Sequence, residues 1–219
     1  MEARVSDIAL SRIKNRQQSA TKTRSELVGD QGSNVDQAKL TQAAALILEA
    51  IGENVFREGL RETPARFARM FQELCYGVGV DASSEITCTF DEGSDGMVVV
   101  KGIGFSSLCE HHLVPFIGTA NVAYLPRDGV VTGLSKLARV VELTSRRPQV
   151  QERMTEEIAR AIEETIDPRG IAVLVEAEHF CMSMRGIKKP GSKTVTTAFK
   201  GELRTDRESR AEVLSLLRE

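Results

Sequence analysis

The chain has 219 residues, of which 41% are hydrophobic and 27% are charged, and its formal net charge is −2. This composition predicts one soluble globular domain, and the near-neutral charge excludes a general attraction to nucleic acid or to an anionic membrane. With no apolar run of 18 residues and no secretory signal at the start, we expect a cytoplasmic protein without a membrane span.

The first part of the chain is polar and then becomes helical. Residues 1–35 are rich in Ser, Gln, Lys and Arg, which predicts a flexible N-terminal arm. Residues 36–52 are rich in Ala and Leu and predict a helix. A second helix is predicted to start with Thr63 as N-cap and Pro64 as its first residue, and its apolar side chains recur at helical spacing.

Beyond Met97 the pattern alternates between strands and helices. Strands are predicted over 97–100 and 116–125, helices over 135–144 and 148–166, and strands again over 171–184 and 194–199. Paired strands around paired helices predict an α+β fold with an antiparallel sheet and helices on one face.

Residue types that bind metals are clustered in the sequence. The chain has three histidines, and each lies within three positions of a cysteine. In Cys109-Glu110-His111-His112, one helical turn would bring Cys109 and His112 to the same side. The same turn would point His111 elsewhere, where it is better placed for proton transfer than for binding the same ion.

A second group follows 70 or so residues later. His179 and Cys181 lie in a predicted strand, so their side chains would share one face with Ser183 and Arg185. Thiolate and imidazole ligands favour zinc, and a Cys₂His set leaves a fourth position open for water. We therefore predict that Cys109, His112 and Cys181 bind zinc.

Two other interpretations of these residues remain open at this point. One is a closed structural Cys₂His₂ site, and the other is a set of buried cysteines without a ligand. Cys75 and Cys88 have no histidine nearby and are interpreted as ordinary core or surface residues.

An anion site is predicted near residue 135. One face of the helix predicted there would carry a hydroxyl and two cations, from Ser135 near the N-cap, Lys136 and Arg139. Such a face suits phosphate, although many solvated helix faces have the same residue types. Gln151 and Glu152 lie in the first turn of the next predicted helix, where Glu is common because it offsets the helix dipole. Residues 186–194 resemble a phosphate-binding loop but lack its motif and its following helix, so we predict a turn between strands.

Four sequence strings resemble the GTP cyclohydrolase I family in order and spacing: SLCEHHLVPFIG, GLSKLARVVE, RRPQVQERMTEEI and EHFCMSMRG. The resemblance runs from about Gln37 to the C-terminus. It implies a catalytic domain over 36–219, with a helical part at about 36–80 and a T-fold part at about 95–219. The implied architecture is the tunnelling (T-fold) one, with a four-stranded antiparallel sheet and two long helices per subunit. Subunits would form a homodecamer of two stacked pentamers, with active sites at subunit interfaces.

The resemblance also implies an activity. The enzyme would convert GTP and water to formate and 7,8-dihydroneopterin triphosphate, the first step of reduced pterin (folate-type) biosynthesis, with one Zn²⁺ per subunit. A zinc-activated water would attack C8 of the purine while His179 assists protonation of the ring nitrogen. Ser135 and His111 would then aid the proton transfers that rearrange the ribose.

The residues matched by the resemblance fall into three groups. The zinc ligands are Cys109, His112 and Cys181, and the catalytic residues are His111, His179 and Ser135. Glu152 anchors the guanine with Gln151 beside it. The triphosphate is bound by Lys136, Arg139, Arg185 and, from a neighbouring subunit, Arg66.

Two proteins of other classes could share part of this pattern. A related T-fold nitrile reductase would act on a deazaguanine with a cysteine nucleophile and NADPH, but the CEHH string and the second cysteine favour zinc. A non-catalytic zinc-stabilised assembly would only bind a purine nucleotide, and the presence of all three histidines argues against it. Nucleic-acid binding is the least favoured, since the chain has no Trp and two Tyr.

Overall fold

The computed structural model describes residues 35–218, so the predicted arm over 1–35 lies, apart from Val35, outside the described residues. The first two helices are α1 (Gln37–Ala50) and α2 (Thr63–Cys75), which pack against each other. Both helices confirm predicted elements. The side chain of Asp36 caps α1 by accepting a hydrogen bond from Lys39 N at 3.0 Å.

The predicted cap of α2 is wrong by one residue. Glu62 precedes the helix, and Thr63 is its first residue rather than its cap. Pro64 lies in the first turn, where its missing N–H leaves no helical hydrogen bond unmade.

Strands and helices then alternate along the chain. The strands are β1 (Thr89–Asp91), β2 (Val98–Cys109), β3 (Pro115–Leu125), β4 (Val130–Thr132), β5 (Pro148–Gln149), β6 (Gly170–His179) and β7 (Lys193–Gly201). The further helices are α3 (Leu134–Ser145), α4 (Gln151–Ile166), α5 (Phe180–Ser183), α6 (Glu202–Thr205) and α7 (Arg207–Arg218), and a 3₁₀ turn covers Ala82–Glu85. Within residues 35–218, no helix has both the length and the hydropathy needed to cross a bilayer.

The main sheet has five strands in the order β5-β2-β3-β6-β7, which corrects the predicted four. The four longer strands pair antiparallel, as predicted. The additional strand β5 pairs parallel to the end of β2, with Pro148 beside Leu108 and Gln149 beside Cys109. Two residues are too few to produce a periodic pattern, so this strand could not be recognised in the sequence. Strands β1 and β4 form a separate two-stranded sheet.

Helices cover both faces of the main sheet, which corrects the prediction of helices on one face. Side chains alternate along β6: Ile171 and Val173 join the larger core with α3 and α4, whereas Ala172 and Leu174 join a smaller core with α7. A strand that is buried on both faces has a continuous apolar sequence, as β6 does. The Asn121 side chain also donates to Leu217 O at 2.8 Å, which ties α7 to β3.

The pairing of β3 with β6 requires a glycine at position 118. A Cβ built on Gly118 would lie 1.9 Å from Glu176 O and 2.6 Å from Ala177 Cα, and both obstacles are backbone atoms. We expect Gly118→Ala to lower the free energy of unfolding by about 3 kcal/mol, because the two strands must move apart. Gly104→Ala on β2 is the matched control, since nothing lies within 4 Å of its Cβ. Denaturant titration of both variants checks this, and equal midpoints would contradict the close approach.

Candidate active site

The turn between β2 and β3 brings Cys109 and His112 together, as the spacing predicted. The carbonyl oxygen of Cys109 accepts from Leu113 N at 2.8 Å and from His112 N at 3.3 Å, so the chain makes one tight turn. The turn closes where Cys109 N donates to Val114 O at 2.9 Å. Parallel pairing with β5 holds the buried Cys109 from the other side. The Glu110 carboxylate forms an ion pair with Arg153 on α4.

The predicted strand over 171–184 is wrong beyond His179. Strand β6 ends there and the chain enters the helical turn α5, so the argument that His179, Cys181, Ser183 and Arg185 share a strand face does not hold. The reason is the loss of strand partners. His179 pairs with Phe116, next to the first residue of β3, and β7 does not extend past the partner of Glu178.

The helical turn brings Cys181 to the first cluster. The donor atoms of Cys109, His112 and Cys181 all lie within 4.8 Å of one another. Tetrahedral zinc, with bonds of about 2.3 Å to sulfur and about 2.0 Å to nitrogen, needs these atoms slightly closer. Neither His111 nor His179 belongs to this group of donors, so the described residues present three ligands rather than a closed Cys₂His₂ set.

The electrostatics of the two thiols fit a bound cation. Burial raises the pKa of the Cys181 thiol, and the neighbouring Cys109 raises it further, while the charge of Arg185 opposes the shift. A bound divalent cation would favour the Cys181 thiolate and so reverse this shift. The donor set and its geometry therefore fit zinc, and the ion would be held by Cys109, His112 and Cys181.

Two more predicted residues lie beside the three donors. The His111 Nδ1 atom is 3.8 Å from Cys109 Sγ, and the side chain is exposed. Arg185, also exposed, donates from Nη1 to His112 Nε2 at 2.9 Å. The structure thus puts a cation and a second imidazole at the mouth of the cluster.

His179, the last residue of β6, is held by stacking and hydrogen bonding. Its ring lies parallel to that of Phe116, with centroids 4.7 Å apart, and its Nε2 is 2.7 Å from Gln151 Oε1. Burial lowers the pKa of the His179 imidazole, and the nearby Glu152 carboxylate opposes this shift. Glu152 is therefore close to His179, and its side chain is exposed at the start of α4.

The predicted anion-binding residues lie on α3 and α2. Gly133, not Ser135, is the N-cap of α3, and Ser135 is the exposed second residue of the helix. Lys136 donates from Nζ to Thr87 Oγ1 at 2.6 Å, and Arg139 is exposed one turn later. Arg66 is exposed on α2. Within residues 35–218, no hydrogen bond or ion pair joins these four side chains to the three donors.

Sequence reasoning missed the residues that hold His179. Phe116 was interpreted only as part of a strand, although the antiparallel pairing of β3 with β6 sets it directly opposite His179. Thr155 and Thr196, which complete the hydrogen bonds around Gln151, have no pattern that would identify them.

Comparison with known proteins assigns the family. The family model for GTP cyclohydrolase I matches residues 40–218. The GTP cyclohydrolase 1 of Streptococcus thermophilus (strain CNRZ 1066) is 57% identical over 184 residues, which is 84% of this chain and 98% of the relative. That of Streptococcus mutans serotype c is 54% identical over 182 residues, 83% of this chain and 95% of the relative.

A crystal structure of the archaeosine synthase QueF-Like in the apo form aligns with a TM-score of 0.42 and 18% identity, over 49% of this chain and 96% of that one. This likeness is too distant to support a conclusion about the present chain. The family model and the Streptococcus relatives, in contrast, extend over both parts of the metal cluster and over His179. The chain belongs to the GTP cyclohydrolase I family.

Proposed function

We propose that the chain converts GTP and water to formate and 7,8-dihydroneopterin triphosphate, the first step of reduced pterin (folate-type) biosynthesis. The observation that carries the proposal is the convergence of Cys109, His112 and Cys181, from two distant turns, in a member of this family. Membership of the GTP cyclohydrolase I family argues against the nitrile reductase alternative. It also opposes a purely structural zinc assembly, because the relatives are named as enzymes.

The proposed metal is one zinc ion per subunit, held by Cys109, His112 and Cys181. When bound, zinc acts as a Lewis acid and makes a water molecule nucleophilic near neutral pH. The chain's own residues would orient the purine and move protons around its C8 position.

Three side chains are proposed to move protons. Burial lowers the pKa of the His179 imidazole, and this side chain would take a proton from the water that attacks C8 and return it to the ring nitrogen of the purine. His111, exposed beside Cys109, and the hydroxyl of Ser135 would serve the later steps in which the ribose opens and rearranges.

The proposed substrate contacts surround these groups. Glu152, exposed near His179, would accept hydrogen bonds from the guanine. Lys136, Arg139 and Arg185 would bind the triphosphate, and Arg66 would reach it from a neighbouring subunit. Arg66, Arg139 and Arg185 are exposed and form no ion pair within residues 35–218, which suits them to a polyanion, because little must be broken before it binds.

Arg139 allows a direct test of the triphosphate contact. We expect Arg139→Ala to raise KM for GTP by roughly tenfold, as a charge-assisted hydrogen bond contributes about 1.5–3 kcal/mol, with kcat changed less than KM. Arg160→Ala is the matched control, since Arg160 is an exposed helical arginine whose partner is Glu164. Steady-state kinetics on both variants check the prediction, and an unchanged KM in Arg139→Ala would remove this residue from the site.

The tunnelling (T-fold) assembly is proposed for the described domain. The four long antiparallel strands, with α3 of 12 residues and α4 of 16 residues on one face, support it. Large apolar side chains that a single chain leaves exposed, such as Phe56 at 81% and Ile51 at 68%, support association with further subunits. The proposed form, a homodecamer of two stacked pentamers, comes from the family resemblance. We further propose a cytoplasmic location and a catalytic domain that extends over 36–219.

The activity is tested by incubating the purified, zinc-loaded chain with GTP, with and without a zinc chelator. Formate and the fluorescence of oxidised neopterin are measured in parallel. We expect both products without chelator and neither with it. Bound zinc with no product would support the non-catalytic assembly instead.

A further inference from the structure

Gln151, predicted to lie beside the guanine, has its side chain in the interior of the subunit. The residue is 1% exposed at the start of α4. Its amide Nε2 lies 3.1 Å from Val175 O, 3.0 Å from Thr194 O and 3.2 Å from Thr196 Oγ1, so its two protons are shared among three acceptors. Two of these three partners are backbone carbonyls, which can only accept hydrogen bonds. The NH₂ group must therefore face them, and the orientation of the amide follows from chemistry alone.

The orientation of the amide determines which nitrogen of His179 carries a proton. With Nε2 of Gln151 facing the carbonyls, its Oε1 faces His179 Nε2 at 2.7 Å. An amide oxygen only accepts, so His179 Nε2 must be the donor. In the neutral imidazole the other nitrogen, Nδ1, is then unprotonated.

Two threonines give the same network a single direction. Thr155 Oγ1 donates to Gln151 O at 2.8 Å, so the proton of this hydroxyl is already used. The 2.6 Å contact between Thr155 Oγ1 and Thr196 Oγ1 must then be donated by Thr196. This leaves Thr196 Oγ1 able to accept from the Gln151 amide, which agrees with the orientation derived from the two carbonyls.

The ring of His179 is also restrained in its plane. Phe116, itself fully buried, stacks against it at an interplanar angle of 1°. Stacking restricts the tilt of the imidazole, and the Gln151 hydrogen bond restricts its rotation. Together they leave one ring orientation and one tautomer.

We propose that Gln151 is a positioning residue for His179 rather than a contact of the guanine. It holds the Nε2–H tautomer, so that Nδ1 is the atom that accepts a proton during turnover. This inference rests on the proposed function for its consequence in catalysis, whereas the tautomer itself can be measured without any activity.

The first test is spectroscopic. Solid-state ¹⁵N NMR of the zinc-loaded chain, made without a histidine tag and labelled at its three histidines, distinguishes a protonated from a bare ring nitrogen. The His179 signals are identified by their loss in His179→Gln. We expect a bare Nδ1 and a protonated Nε2 in the natural sequence, and a mixture of tautomers in Gln151→Met. A protonated Nδ1 in the natural sequence would overturn the proposal, whether or not the enzyme turns over GTP.

The second test is kinetic. We expect Gln151→Met to lower kcat by about 10–100-fold with KM for GTP changed less than threefold, because the ring still samples the correct tautomer part of the time. A raised KM with unchanged kcat would instead identify Gln151 as a guanine contact and overturn the proposal.

A milder pair of variants covers the case in which Gln151→Met does not fold. Thr155→Val removes the hydroxyl that accepts from Thr196 and so loosens the packing of hydrogen bonds around the Gln151 amide, and we expect a several-fold loss of kcat. Thr144→Val is the matched control. Thr144 is an equally buried helical threonine that donates to the carbonyl four residues earlier, Val140 O, at 2.7 Å. Equal kcat in the two threonine variants would contradict the role of the network.

Discussion

Replacing Cys181 with alanine is expected to remove the metal and the activity together. Within residues 35–218 the group has three donors, all within 4.8 Å of one another, so loss of Cys181 leaves Cys109 and His112 of that group. Since changing even an outer partner of a metal ligand costs about 10–100-fold, we expect turnover to fall by roughly a thousandfold or more. Zinc per chain after dialysis, measured by mass spectrometry, and formate release check both parts of the prediction.

Cys88→Ala provides the matched control for this variant. Cys88 is exposed and lies outside the group of three donors, so its replacement should leave zinc content and formate release unchanged. His112→Ala should behave as Cys181→Ala does. Zinc retained at one ion per chain with full activity in either ligand variant would contradict the proposed site.

The first half of the metal cluster could be predicted from local spacing. Cys109 and His112 are three residues apart, and a single turn brings such residues together in any context. The structure makes that turn with two hydrogen bonds to Cys109 O. The prediction needed no knowledge of the rest of the fold.

The second half of the metal cluster, Cys181, was predicted for the wrong reason. The pairing of Cys181 with the first cluster was inferred from residue type, and the strand face used to justify it does not exist, because β6 ends at His179. Whether a strand continues depends on its neighbours, and both β3 and β7 stop providing partners at that point. This information lies in the first residues of β3 and in Lys193 of β7, outside any local pattern around Cys181.

The fold shows the same difference between features set by local sequence and features set by distant parts of the chain. Long periodic elements such as α4 were predicted within three residues of their observed ends. The second layer of helix on the sheet was not predicted, although the uninterrupted apolar sequence of β6 is typical of a strand buried on both faces.

His179→Gln is expected to lower kcat by about 10²–10⁴-fold while zinc content stays at the level of the natural sequence. Gln can still donate a hydrogen bond toward Gln151, so the fold is preserved, but it has no nitrogen that can accept a proton as Nδ1 does. Because His179 is proposed to act while the purine ring opens, formate release and neopterin formation should fall together. Both products and the zinc content are measured on the same preparation.

Ser135→Ala separates the early step from the late ones. Ser135 lies on α3, exposed and without a hydrogen bond to the three metal ligands or to His179 within residues 35–218, and it is proposed to act after formate has left. In this variant we expect formate to be released in excess over neopterin, whereas His179→Gln should keep the two products in equal amounts. A ratio of one in both variants would mean that Ser135 has no separate role in the rearrangement. An excess of formate in His179→Gln would instead mean that His179 acts in the later steps and not while the purine ring opens. The tautomer that Gln151 holds would then serve those later steps as well.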